Sequence, residues 1–422
     1  MFEYKEIKQG LWLYLLLLIF EGALRKWVLP QFSDILLIIR DPLALFLLVK
    51  ASTLKIYYSN SFLIQIWVIA IISLGFTLTL GHQNLNVAIY GIRVFLLHLP
   101  LAFLMGHVFD KNDVIKVGKF FLYLSIPMTI LLIAQFFSPQ TAWVNRGVGG
   151  DLSGAGFDGA LGYLRPPGTF SFTNGTSSFY GLLAAFLLYF LFVSETIPVL
   201  LLVLSGISLL IAIPISISRT LLFMVTASVV IVVPALYKFK DKINKIFGIG
   251  ISLFIVYLCL NMFSFFDTVL NVFNTRFERA NESEGGLESV LLDRYLGGLA
   301  SALMEAPNKK ISGVGLGYGT NVGSVLLTNN KSFLISEGEW GRIIGEMGPI
   351  LGIWMVLIRL FIGLKTTIHS YRMLSENNFL SWTLLPYMLL NFTQGSWNQP
   401  TAMGFSIISL GLLIASFKST TN

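Results

Sequence analysis

Eight arginines, Arg25, Arg146, Arg165, Arg219, Arg276, Arg279, Arg294 and Arg342, fall on one side of a chain that places mainly lysines on the other. Lysine is a point charge that suits lipid headgroups, whereas the planar guanidinium forks onto the paired oxygens of a phosphate or carboxylate. The pattern points to an anion handled on the arginine side. Four segments carry it. Arg165, Pro166, Pro167, Gly168 and Asn174 lead into a predicted helix, whose first N–H groups and positive dipole end favour an anion. Ser216, Ser218 and Arg219 open another helix. Between 287 and 306, Leu287, Leu291, Tyr295, Leu299 and Leu303 recur at helical spacing, predicting an amphipathic helix that lies on a membrane or lids a cavity, with Arg294 at its apolar edge. Gly313, Gly315, Gly317 and Gly319 read as a flexible turn, followed by Glu337, Glu339, Trp340 and Arg342. Taken singly, each arginine also fits the plainer role of capping a helix end or pairing with a local acid.

The elements that must position these residues are apolar. Of 422 residues 55% are hydrophobic and 12% charged, with mean hydropathy +0.75, against about 25% charged in a soluble domain. Runs of roughly 18 or more apolar residues recur, each long enough to cross hydrocarbon as a helix. We expect an all-α polytopic membrane protein of about twelve transmembrane helices, near 10–29, 35–50, 61–80, 88–109, 116–137, 173–194, 197–214, 219–237, 246–264, 341–364, 379–395 and 399–417. Three parts follow: a nine-span bundle over 1–264 with an outer loop at 138–172, a large outer (periplasmic) loop over 265–340 between helices 9 and 10, and a three-span bundle over 341–422. The first apolar run is followed by Glu21, Arg25 and Lys26 and not by a small-residue cleavage site, so it reads as a retained helix. Lys5, Lys8, Lys50, Lys55, Lys111, Lys116, Lys119, Lys238, Lys240, Lys242, Lys245, Lys365, Arg372 and Lys418 then mark the inside, and both termini are expected in the cytoplasm. The net charge of +7 follows from this topology; a clustered basic face for nucleic acid is missing. The single Cys259 excludes a disulfide framework.

Charges also lie within the spans. Glu21, Arg40, Asp41, Arg93, Arg342 and Glu346 sit toward the outer side, where an ionisable group costs about 2.5 kcal/mol or more unless it faces a wet cavity or a partner. A polar cavity open to the outer side is one reading; structural pairing of Arg40 with Asp41, or Glu21 with Arg25, is the other. Arg359 falls near the inner face and is expected to snorkel. Familiar catalytic sets are missing. His82 is the one histidine of the outer segments, while His98, His107 and His369 fall in or near inner parts of spans, so neither a nucleophilic triad nor a metal centre is expected. The 313–319 glycines lack the Lys and Ser/Thr of a phosphate loop.

Arg165, Gly168, Phe170 and Asn174 before the sixth span, Ser218–Arg219 at the eighth, Arg294 upstream of Pro307, Gly313, Gly315 and Gly317, and Glu346, Gly348 and Gly352 in the tenth make the chain resemble the O-antigen polymerase/ligase superfamily, most strongly over 160–355. The resemblance implies a glycosyltransferase that uses neither metal nor other cofactor, at the outer face of a bacterial inner membrane. Its donor would be an undecaprenyl-pyrophosphate-linked glycan in the lipid bilayer, and a chain-length regulator a possible partner. The ligase branch has a histidine shortly before the tenth span, where this chain holds Glu337 and Glu339. That favours a Wzy-type polymerase, with ligase as the near alternative and transport of a lipid-linked sugar as the rival class. On the chemistry alone, departure of pyrophosphate from an anomeric carbon develops negative charge that fixed guanidiniums stabilise. Arg165, Arg219 and Arg294 are the expected clamps, with Arg93, Arg40 and Arg342 in support. Glu339 or Glu337 would take the acceptor proton. Trp340 would stack on a sugar, although a tryptophan at a span entrance more often anchors the interface.

Overall fold

Lipid and a packed interior both leave the backbone no partner but itself, so each apolar run folds as helix. A computed structural model describes residues 4–56, 58–154, 156–192, 197–236, 243–284, 297–329, 334–336, 338–376 and 378–418. In chain order come α1 (Lys5–Ala23), α2 (Arg40–Thr53), α3 (Ser61–Thr79), α4 (Leu85–Arg93), α5 (Leu99–Val108) and α6 (Lys111–Phe137). A short hairpin of β1 (Phe157–Ala160) and β2 (Tyr163–Arg165) follows, then α7 (Thr173–Phe192), α8 (Val199–Ile215), α9 (Arg219–Leu236), α10 (Ile243–Leu260) and α11 (Ser264–Glu284). The last are α12 (Gly298–Glu305), α13 (Asn321–Thr328), α14 (Glu339–Ser375), α15 (Phe379–Met388) and α16 (Pro400–Ser416). Side-chain caps set several starts. Asn60 accepts from the Leu63 N–H at 3.0 Å, and Asp110 with Asp113 forms a capping box at α6.

Six of the described helices are long and apolar enough to cross a membrane, or seven if the pair 254–260 and 264–279, bent by 102°, counts as one span. The chain is thus mostly helical, with the character of a multi-pass membrane protein. The centre is readable from burial: in the most apolar stretch of each span, 89% of the residues are buried for α7 and 78% for α4–α5, against 33% for α3.

Three features depart from the sequence reading. The loop at 138–172 contains antiparallel strands, so the fold is not purely helical; Leu161 (φ 52°) and Gly162 (φ 80°) give the hairpin the two positive-φ residues of a tight I′ turn. The described residues of the 265–340 segment are largely helical, carrying α11, α12 and α13, with α12 packed on α14. The glycine run is pinned and not a flexible turn. The N–H groups of Val314 and Gly315 donate to Gly345 O and Glu346 O at 3.0 Å, and Leu316 N donates to Thr77 Oγ1 at 2.9 Å. A Cβ on Gly317 would lie 2.3 Å from Val87 O, so glycine is required for backbone to meet backbone.

The partner of that run is a break inside α14. Gly348 (φ 81°, ψ 167°), followed by Pro349, splits it into an N-terminal piece and a long C-terminal span. That backbone region is open essentially to glycine alone. The chain turns back on itself there: a Cβ at Gly352 would lie 2.6 Å from the Ile344 Cα.

Candidate functional site

Two ion clusters form where α1, α2, α4 and the broken helix α14 converge. The first begins on α1, where Arg25 Nη1 lies 3.4 Å from Glu21 Oε1. Arg40 donates from Nε to Glu21 Oε2 at 3.2 Å and from Nη2 to Pro400 O at 2.7 Å. Tyr14 joins His98 Nδ1 at 2.9 Å, His98 Nε2 meets Asp41 Oδ1 at 2.8 Å, and Asp41 Oδ2 accepts from Arg93 Nη1 at 2.5 Å. The Glu21–Arg25 pairing exists, but Asp41 pairs with Arg93 and His98, leaving Arg40 to Glu21. His98, between Tyr14 and Asp41, therefore sits at the cluster's heart.

The second cluster belongs to α14. Glu339 accepts from Arg342 Nε at 2.9 Å and Nη2 at 2.8 Å, while Arg342 Nη1 donates to Glu346 Oε2 at 2.7 Å. The Gly348 reversal brings Arg359 back, so that its Nη1 donates to the same Glu339 Oε1 at 2.8 Å. Arg359 does not snorkel: it is fully buried, donates to Phe392 O and Gly395 O, and lies 3.9 Å from the Trp397 ring. Straight-helix reckoning put it some 30 Å from Glu339 at about 1.5 Å per residue, which is why the sequence reading misplaced it.

Between the clusters lies a small, narrow cavity of about 10 Å³, lined by Tyr90, Arg93, Thr320, Arg342, Trp397 and Asn398 among others. Three of its lining side chains hold buried polar atoms with no hydrogen-bond partner among the described residues: Arg93 Nε, Trp397 Nε1 and Asn398 Oδ1. Such orphans are rare in folded proteins because each costs about 1–3 kcal/mol. Three π-helical turns surround the clusters, Leu24–Val28, Val94–His98 and Leu389–Thr393. They supply Arg25, Lys26, His98 and the Phe392 carbonyl. Wide turns of this kind recur at functional sites because they re-aim side chains and release carbonyls.

The predicted residues divide accordingly. Arg40, Arg93 and Arg342 gather at the clusters, and Arg93 and Arg342 line the cavity. Glu339 is 5% exposed, and guanidinium donors take three of its roughly four lone-pair sites, so its visible role is to hold Arg342 and Arg359. Trp340 is 4% exposed, 5.2 Å from the Arg359 guanidinium; it neither anchors an interface nor presents an open face to a sugar. Arg165 ends β2 and Arg219 starts α9, where Ser218 bonds Ser177 at 2.7 Å. Neither lines the cavity. Arg294 and Glu337 lie outside the described residues, as do Leu287, Leu291 and Tyr295.

Sequence reasoning missed Lys26, Trp397, Asn398 and Tyr90. Lys26 is fully buried, donating to Gly168 O at 2.6 Å and Phe170 O at 2.9 Å, and so clamps the turn after Arg165 onto the π-helical turn that continues α1. Its signal was a lysine beside Arg25 in an apolar run. Trp397 and Asn398 gave only a polar interruption before Pro400. Among the described residues no group of three His, Cys, Asp or Glu side chains converges as a metal site requires. Compared with protein-family models, curated proteins and solved structures, the chain matches none.

Proposed function

We propose that this protein is a glycosyltransferase of the bacterial inner membrane, with both termini cytoplasmic and about twelve crossings once its shorter apolar helices are included. It joins undecaprenyl-pyrophosphate-linked oligosaccharide repeats at the outer face, as a polymerase of surface polysaccharide. The observation carrying this reading is the cavity that two arginines on separate helices line, with the Arg93 Nε unsatisfied. The first cluster sets three guanidiniums (Arg25, Arg40, Arg93) against two carboxylates (Glu21, Asp41). It holds one positive charge more than it neutralises and favours an anion in a low-dielectric site. A diphosphate is far larger than this cavity, so binding displaces the 395–400 turn that carries Trp397 and Asn398. Arg165 and Arg219 would meet the donor nearer the surface.

One observation favours a second reading. A cavity with room for about one water, next to the Tyr14–His98–Asp41 chain, suits proton movement in a transporter. The deciding experiment incubates purified protein with undecaprenyl-pyrophosphate repeat units and resolves the products as a glycan ladder. A metal-free ladder that disappears in folded Arg93→Ala supports the polymerase. Transfer only when lipid A core is added means a ligase. Failure of both reactions, together with proton uptake coupled to substrate in proteoliposomes, replaces the enzyme with a transporter.

A further inference from the structure

At the far end of α16 from the arginine cavity, α3, α5, α14 and α16 leave a groove of about 770 Å³ between them. Met403 lines the first site and Ile414 the second, some 16 Å apart at about 1.5 Å per helical residue. The groove's walls are apolar, with Phe103, Phe361, Ile368 and Ile414 among them, while Lys365, Arg372 and Lys418 stand in its lining and no carboxylate does. Its volume lies within the roughly 300–1,000 Å³ of small-molecule sites.

The cations differ in how they are held. Lys418 is tied to the end of α5, donating to His107 O and, at 3.1 Å, to Phe109 O. Among the described residues Lys365 makes only a ring contact, 5.5 Å from the centre of Phe62. Arg372 is exposed and has no hydrogen bond or ion pair among the described residues. Two cations thus stand beside an apolar channel without an anionic partner among the described residues.

We propose that this groove binds an anionic phospholipid of the inner leaflet, one acyl chain against Phe361, Ile368 and Ile414 and the phosphate between Lys365 and Arg372. The charge pattern selects this occupant. Phe361 is 53% and Ile368 46% exposed on α14, a helix long and apolar enough to cross the membrane, so this wall is placed to face hydrocarbon. The basic residues lie at the end where lysines collect, the side of the anionic leaflet, and basic pockets between helices on that side hold acidic headgroups. A zwitterionic lipid would fill the same channel but bring its own cation to the rim.

The test is native mass spectrometry of the delipidated full chain, offered equal amounts of phosphatidylglycerol and phosphatidylcholine in detergent. Wild type is expected to retain phosphatidylglycerol at least ten-fold more. Lys365→Glu with Arg372→Glu removes that preference, while Lys365→Arg with Arg372→Lys keeps it. Ile368→Trp, which narrows the wall without touching the charges, lowers retention of both lipids and guards against misfolding of the charge-reversed protein. Equal retention of the two lipids by wild type overturns the proposal. So does undiminished selectivity in the charge-reversed protein, competition by glycerol phosphate as effective as by the lipid, or a dimer whose formation excludes lipid. The lipid readout is independent of glycan transfer.

Discussion

The two ion clusters use the same residue types to opposite ends. In α14, Arg342 and Arg359 face Glu339 and Glu346, charge for charge, and all four are buried. In the α1–α2–α4 cluster, three guanidiniums face two carboxylates, Asp41 stays about a fifth exposed, and the Arg93 Nε is left over. A balanced buried cluster is a fastening: it fixes geometry and leaves no capacity for a ligand. An unbalanced one bordering a cavity is held ready for a missing charge. Arg342 belongs to the fastening but lines the cavity of the other, so the rigid cluster aims one of its members at the unsatisfied one.

Breaking the fastening should do the most damage. Glu339→Ala leaves Arg342 and Arg359 buried against too little charge, and we expect about 3–5 kcal/mol of lost stability, seen as a lower melting temperature and poor recovery in mild detergent. Arg93→Lys probes the other cluster. It keeps the charge but loses the fork and its Nε, so transfer should fall about 100-fold, as when one donor to a developing oxyanion is removed, with melting little changed. If instead Arg93→Lys destabilises as Glu339→Ala does, the clusters do not differ in kind. Gly348→Ala places a Cβ 2.0 Å from Ile311 O at a φ of 81°. It should cost at least about 1–3 kcal/mol and expose the Glu339–Arg359 pair to faster hydrogen exchange. Smallest is Asp41→Asn, about 1–2 kcal/mol for a weakened pair that still reaches some solvent. By raising the cluster's excess positive charge it should increase the thermal protection given by added pyrophosphate, whereas Glu346→Gln should not.

The helices were legible because a span needs only continuous apolarity, a local property. The positions of α3, α7, α8, α9 and α16 match the hydropathic runs within a few residues. Arg40, Arg93 and Arg342 were legible for a related reason: a charge within an apolar run must find a partner or a cavity wherever it sits. Pairing was not. Arg40 stands next to Asp41 in sequence yet bonds Glu21 and Pro400 O, because successive helical residues point about 100° apart and neighbouring helices choose the partner. Glycines mislead in the same way. Gly313, Gly315 and Gly317 look like slack, but each permits backbone to lie against another backbone or ring, and no composition signal separates the two uses.

From its own sequence the chain determined the mostly helical, multi-pass character of the protein, since apolar run length is additive along the chain. Tertiary structure alone decided that Gly348 reverses α14, that Glu339 thereby holds both Arg342 and Arg359, and that Lys26 closes the 168–170 turn on α1. Each of these is a contact between residues far apart or on opposite sides of a break. Its energy depends on a distance of a few ångströms that only packing sets.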